Sequence, residues 1–266
     1  MAARPLRYVP GFFVQGEAED PTAIDDAGDQ VAPRMGLKSG RTWADVFAYM
    51  REFEKQHGAK LKLVVLLRHG EATHNADRER VGEERWEQEL EFLPEYIDAP
   101  LTERGREQAI EAAAVVEQET NAGLKLERVF VSPLDRTLET YDRTFAQLKS
   151  VPVTVVELAR ETLGVVNCDR RKFLTPKRKL YPELDFDLVV SEEDTWWRAD
   201  HRETDDEIAE RAQSFLRRVY DNYDEQCVAV VSHSGFSRGC FRALGHRYYR
   251  PRNAEYIPLL ITDAEL

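Results

Sequence analysis

The chain is poor in residues that build covalent or metal frameworks. Its 266 residues include three cysteines, Cys168, Cys227 and Cys240, an odd number without CxxC spacing. That argues against a disulfide scaffold and a cysteine-based zinc site, and reads as reduced thiols of an intracellular protein. HExxH, EF-hand and His/Cys-cluster patterns are missing too, so no metal and no cofactor is expected. No stretch approaches about 18 consecutive apolar residues, and the N-terminus lacks an apolar signal core. Both absences point to a soluble, cytoplasmic protein without a membrane partner. Cations are the minority charge: 37 lysines and arginines face 49 acids, giving a net charge of −12. Such a field repels polyanions, which argues against nucleic acid while leaving room for a local basic pocket.

Five short apolar runs stand out instead. Leu63–Leu67 is branched throughout, the pattern of a strand covered on both faces of a parallel sheet. Val129–Val131, Val151–Leu158, Cys227–Val231 and Ile257–Thr262 are further strand candidates. Helical patterns alternate with them. Thr42 leads into apolar positions at Trp43, Val46, Phe47, Met50 and Phe53, and Thr102 caps a helix from Glu103 to about Glu119. Ser132-Pro133-Leu134-Asp135 reads as a capping box with proline at the first helical position. Ser191-Glu192-Glu193-Asp194 reads as another, opening a short helix toward Trp196 and Trp197. The alternation predicts an α/β fold of three α/β/α layers around a mainly parallel sheet. Residues 1–60 read as an N-terminal arm and helix packed on the main domain. The arm is loop-like over the acidic Gly16–Asp29 and is anchored by Tyr8, Phe12 and Phe13. Residues 61–266 read as that domain, with about 162–204 folded over the sheet edge as an insertion, where a substrate lid would sit.

The chemistry gathers where strands end. Leu63–Leu67 runs into Arg68-His69-Gly70-Glu71, and Cys227–Val231 runs into Ser232-His233-Ser234-Gly235. Arg136 follows the third such junction. In open α/β sheets ligands bind outside the carboxyl ends of the strands, where helix N-termini also point free N–H groups. Two imidazoles and two guanidiniums converging there make a phosphate site. Taken singly, each histidine is a strand-end residue of no special meaning; His74 and His201 have no such company and stay unassigned.

Five blocks, in order, carry a resemblance. Leu67-Arg68-His69-Gly70-Glu71 with Asn75, Pro100-Leu101-Thr102-Glu103-Arg104-Gly105, Ser132-Pro133-Leu134-Asp135-Arg136-Thr137, Arg160-Glu161-Thr162 and Val231-Ser232-His233-Ser234-Gly235 resemble the histidine phosphatase superfamily. This is the phosphoglycerate-mutase-like clan. The resemblance implies that His69 is the nucleophile and forms a phosphohistidine. It further implies that Arg68, Asn75, Arg136 and Ser234 bind the phosphate beside His233, and that Glu161 is the general acid and base. The expected activity is metal-independent hydrolysis of a small-molecule phosphate monoester. Glu71 is expected to orient the loop, and Thr102 to cap a helix and shape the site from outside.

Transfer to a second substrate is the alternative, because a mutase uses the same apparatus with water kept out. A cation cluster downstream of Glu161, namely Arg170, Arg171, Lys172, Lys177, Arg178 and Lys179, can grip a carboxylate or simply pair with the acidic 183–194 stretch. The surroundings of Glu161 lack the Arg-His-Tyr-Gly pattern of the glycolytic mutases. Cys168-Asp169-Arg170-Arg171, the Glu-Glu-Asp stretch before Trp196 and Arg202-Glu203-Thr204-Asp205 resemble instead the eukaryotic phosphomutase-like branch. A non-catalytic protein that binds phosphorylated ligands or protein partners is the third possibility, disfavoured because His69, Arg68, Arg136 and His233 are all present.

Overall fold

The computed structural model describes residues 4–17, 31–145, 147–148 and 150–265. Most of the acidic stretch expected to be a loop, residues 18–29, lies outside the described residues.

Seven strands, β1 (Arg7–Tyr8), β2 (Lys62–Arg68), β3 (Arg128–Val131), β4 (Val153–Val156), β5 (Asp185–Leu188), β6 (Cys227–Ser232) and β7 (Tyr256–Thr262), form one sheet in the order β1-β7-β2-β6-β3-β4-β5. The β2–β6, β6–β3, β3–β4 and β4–β5 pairs are parallel, and β7 runs antiparallel to both its neighbours. Side chains alternate across β2: Leu63, Val65 and Leu67 face one core, while Val64 and Leu66 face the other. The first core is closed by helices α1 (Trp43–His57), α3 (Glu103–Asn121) and α4 (Asp135–Phe145); the second by α6 (Asp205–Asn222) and α7 (Ser234–Leu244). This is the three-layer arrangement that the strand–helix alternation predicts. Among the described residues no helix is long and apolar enough to cross a membrane.

Thr42 and Thr102 cap α1 and α3 through their side chains, as their sequence context predicts. Two other capping boxes do not form. Helix α4 starts at Asp135, and the amides of Thr137 and Leu138 take the Leu134 carbonyl at 3.0 Å each. Its first amide, Asp135 N–H, is taken at 2.6 Å by Asp98, distant in sequence. That frees the Ser132 hydroxyl for His233. Residues 191–194 form no helix, because the Asp194 carboxylate is claimed by Arg160 and by the amides of Arg171, Trp196 and Trp197. Two further elements lie outside the sequence expectations. β1 binds the N-terminal segment to β7, with Phe12 and Phe13 buried beyond it, and the 162–204 segment supplies the edge strand β5.

Helix α2 (Thr73–Val81) follows the β2 loop, and α5 (Leu174–Leu180) lies within the 162–204 segment. One buried acid ties that segment to the sheet edge. Asp98, held at φ 51°, accepts from Asp135 N, from Lys172 N at 2.9 Å and from Lys177 Nζ at 2.7 Å; Lys177 also pairs with Asp135. Burial opposes the Asp98 charge, but Lys177 and the two amides outweigh it and hold the carboxyl below its ordinary value of 3.8. Its stabilising contribution is therefore complete above pH 3.8 and is lost as pH falls through the lower folded-state value. Removing one member of a buried ion pair strands the other, so Asp98→Ala should lower unfolding free energy at neutral pH by about 3–5 kcal/mol, read by urea denaturation. A loss within experimental error would show that Asp98 does not hold the segment.

Candidate active site

Four adjacent strands, β2, β6, β3 and β4, bring their carboxyl ends to one edge, and each delivers part of the site. β2 ends in Arg68, His69 follows it, and the His69 amide donates to the Ser232 carbonyl at the end of β6 at 3.0 Å. The turn is tight because two backbones touch: a Cβ on Gly70 would strike the Gly105 carbonyl, and one on Gly105 the Glu71 carbonyl. Glycine is required at both by close approach. Thr140 of α4 takes the Gly70 amide at 3.1 Å, and Gln108 takes the Glu71 amide at 2.7 Å. Glu71 orients the loop, accepting from the Thr102 hydroxyl at 2.5 Å.

The partners of His69 fix its tautomer. A carbonyl only accepts and a guanidinium only donates. Nδ1–H therefore donates to the Gly70 carbonyl at 2.6 Å, while Nε2 accepts from Arg136 Nε–H at 3.2 Å. Burial, then the charges of Arg136 and Arg68, push the His69 pKa well below 6.5. The imidazole is neutral, with its lone pair on Nε2. The same causes, burial first and Arg136 next, keep His233 neutral; its ring centroid lies 5.1 Å from that of His69 and its Nε2 meets Ser132 Oγ at 2.8 Å.

Arg136 is fully buried and doubly braced. It donates to the Cys168 carbonyl at 2.6 Å and to Asp169 at 3.0 Å; Asp169 is shared with Arg202 at 2.8 Å. Arg68 donates to the Pro251 carbonyl at 2.9 Å, and burial pushes its pKa down to about 10, still cationic at neutral pH.

Glu161 follows β4 and is held by two arginines. Arg160 grips Asp194 in a fork of 2.6 and 2.7 Å, and Arg211 donates to the carbonyls of Leu158, Arg160 and Glu161. The Glu161 carboxylate accepts from Thr162 N at 2.8 Å, Gly235 N at 3.1 Å and the Ser234 hydroxyl at 3.3 Å. Burial works against its charge, yet these amides and the charges of Arg136 and Arg202 prevail and lower its pKa. A Cβ on Gly235 would overlap Glu161 Oε1.

Arg68, His69, Asn75, Glu161 and Ser234 line one cavity of about 870 Å³. Arg136 and His233 sit behind it, against His69. The seven residues singled out from sequence thus come together. The cation cluster does not join them. Arg171 is bound to Glu157 and the carbonyls of Ser191, Glu192 and Glu193; Lys172 and Lys177 are held by Asp98 and Asp135. Arg170 lies over Trp197 and Arg178 over Phe186. Trp197 also donates to the Val166 carbonyl, and His201 pairs with Glu207.

Sequence reasoning missed His74, Asp169 and Arg202, all of which line the cavity. His74 accepts from Asn75 Nδ2 at 3.0 Å, and burial, then Arg136, lowers its pKa well below 6.5. Its only signal was its place in the first turn of α2. Asp169 and Arg202 lay inside blocks noted for resemblance alone. Among the described residues no group of three or more His, Cys, Asp or Glu is arranged to hold a metal ion.

The chain is similar to several known proteins. "Phosphomutase-like protein 3" of Candida albicans is 30% identical over 257 residues, covering 94% of this chain and 78% of the relative. "Probable phosphoglycerate mutase" of Arthroderma benhamiae is 29% identical over 277 residues, covering 95% and 83%. A mycobacterial glucosyl-3-phosphoglycerate phosphatase complexed with VO3 superposes with a TM-score of 0.50 at 19% identity, covering 77% of this chain and 98% of that one, a likeness of fold. Residues 64–256 match the model of the histidine phosphatase superfamily (branch 1), and the chain belongs to that superfamily.

Proposed function

We propose that this protein hydrolyses a small-molecule phosphate monoester through a phosphohistidine on His69, without a metal. One observation carries the reading: the proton of His69 is fixed on Nδ1, and Nε2 is held neutral beside the buried Arg136 guanidinium. A neutral, oriented imidazole is a competent nucleophile, and a preorganised cation is what phosphoryl transfer needs most.

In the first step the Nε2 lone pair attacks phosphorus, the bond to the ester oxygen breaks, and that oxygen takes a proton from Glu161. Arg136 Nε–H, which donates to Nε2 here, passes to a phosphoryl oxygen, joined by Arg68, Asn75, Ser234 and His233. In the second step water attacks phosphorus, the P–N bond breaks, and the Glu161 carboxylate takes the water proton. Glu161 is depressed in this structure, which suits the second step directly. For the first, a bound phosphate dianion raises its pKa by like-charge repulsion. Water as acceptor is favoured over a carboxylate-bearing second substrate because none of the cations expected to grip that carboxylate lines the cavity, and Arg171, Lys172 and Lys177 are ion-paired elsewhere.

Turnover of para-nitrophenyl phosphate should therefore survive EDTA and fall by at least about 10³-fold in His69→Ala, a loss of the kind seen when an acting nucleophile is removed. Sensitivity to EDTA, activity in His69→Ala, or phosphoglycerate isomerisation outpacing hydrolysis would each contradict the reading. In Gly235→Ala the new methyl group displaces the Glu161 carboxylate. We expect kcat to drop about 10²-fold, the scale of a general acid, with little change in melting temperature. Unchanged kcat would remove Glu161 from the proton-transfer role.

A further inference from the structure

The wall of the cavity beyond the phosphate end is acidic. From His74 the chain runs through α2, a short helical turn Glu83–Arg85 and a π-helical turn Trp86–Leu90. Glu79, Glu83, Glu87 and Glu91, spaced by four, all line the cavity. Gly82, at φ 86°, separates Glu79 from the other three, so the shared cavity wall and not one continuous helix brings these like charges together. Arg78 pairs with Glu83. Among the described residues no ion pair takes Glu79, Glu87 or Glu91. Glu91 is half-buried, and burial together with Glu87 raises its pKa although Arg202 and Arg78 oppose the rise.

The cations of the same cavity belong to its other end or are already bound. Arg68 is a phosphate-end residue, and Arg250 is close enough to it to lower its pKa. Arg202 is held by Asp169, and Arg238 by Asp205. The cavity is therefore bipolar. A second observation points to a ligand in this cavity. His74 is 9% exposed and lines the cavity, and with Nε2 accepting from Asn75 its Nδ1 is a buried donor without a partner. It stands five residues before Glu79, about 7.5 Å along the helix axis, the reach of a short leaving group.

Resting on the phosphatase reading, we infer that the substrate is a phosphate monoester whose alcohol carries a cationic nitrogen, taken up by Glu79, Glu87 and Glu91. His74 Nδ1–H donates to an oxygen of the phosphate group. A cation on the leaving group relieves the repulsion among these carboxylates, whereas a carboxylate adds to it. The acidic wall thus selects against phosphoglycerate-type esters without any change in the phosphate end.

The test compares phosphocholine, glycerol 3-phosphate and 3-phosphoglycerate, which differ in the charge of the leaving group. It reads kcat/KM with the wild-type protein and Kd by calorimetry with His69→Ala, so that selectivity is measured whether or not turnover occurs. Phosphocholine should be preferred to 3-phosphoglycerate by at least about 10-fold in either measure, equivalent to about 1.4 kcal/mol. The preference should shrink as salt is raised. It should fall to within about 2-fold in the triple variant Glu79→Gln/Glu87→Gln/Glu91→Gln, a change of under about 0.5 kcal/mol. Equal affinities, or a preference for 3-phosphoglycerate, overturn this inference. Wild-type turnover of para-nitrophenyl phosphate alongside equal affinities leaves the phosphatase reading standing; selective binding of phosphocholine without any turnover defeats that reading and leaves the acidic wall as a binding determinant.

Discussion

Arg136 against Nε2 of His69 is the contact on which the carboxyl edge of this sheet depends. The guanidinium is fully buried, so it requires acceptors on every side, and the fold supplies them from three directions. Asp169 balances its charge, the Cys168 carbonyl takes one N–H, and His69 takes another. The same contact, added to burial, keeps the imidazole neutral and holds its lone pair on Nε2. A buried charge that is paired and hydrogen-bonded is tolerable; an unpaired one is not. The 162–204 segment is therefore part of the site's electrostatics, because Asp169 comes from it.

A second layer of buried arginines fixes the backbone around Glu161. Arg160, Arg171 and Arg211 spend their donors on Glu157, Asp194, Glu203 and a set of carbonyls. With the chain so held, Gly235 can approach Glu161 closely enough to donate its amide. Two neutral histidines, a braced cation and a hydrogen-bonded carboxylate meet at what we propose to be the phosphate end. In the proposed reading, the acidic wall beyond His74 supplies the discrimination between esters.

The central sheet was legible because β2 and β6 are buried on both faces and read as unbroken apolar runs. His69 and His233 were legible because each follows a buried strand directly, and Arg136 and Glu161 because each stands within a recognisable block. What escaped were features set by long-range polar contacts. Ser132-Pro133-Leu134-Asp135 has the letters of a capping box, but Asp98 caps the helix and Ser132 turns to His233. Asp194 has the position of a capping-box acid, but Arg160 competes for it and wins. The 170–179 cations looked available for a ligand because nothing in the local sequence announces Asp98 or the carbonyls that occupy them. β1, two residues long, carries no periodicity to read.

The account stands or falls on the phosphoryl group reaching His69. Rapid quench of the enzyme during turnover of a phosphate ester, with alkaline work-up to preserve phosphohistidine and peptide mapping by mass spectrometry, measures this directly. The predicted result is a single phosphoryl group on His69, absent from His69→Ala and discharged by water at a rate compatible with kcat. A phosphoryl group on another residue, or steady turnover with no phosphoenzyme on the catalytic timescale, would contradict it.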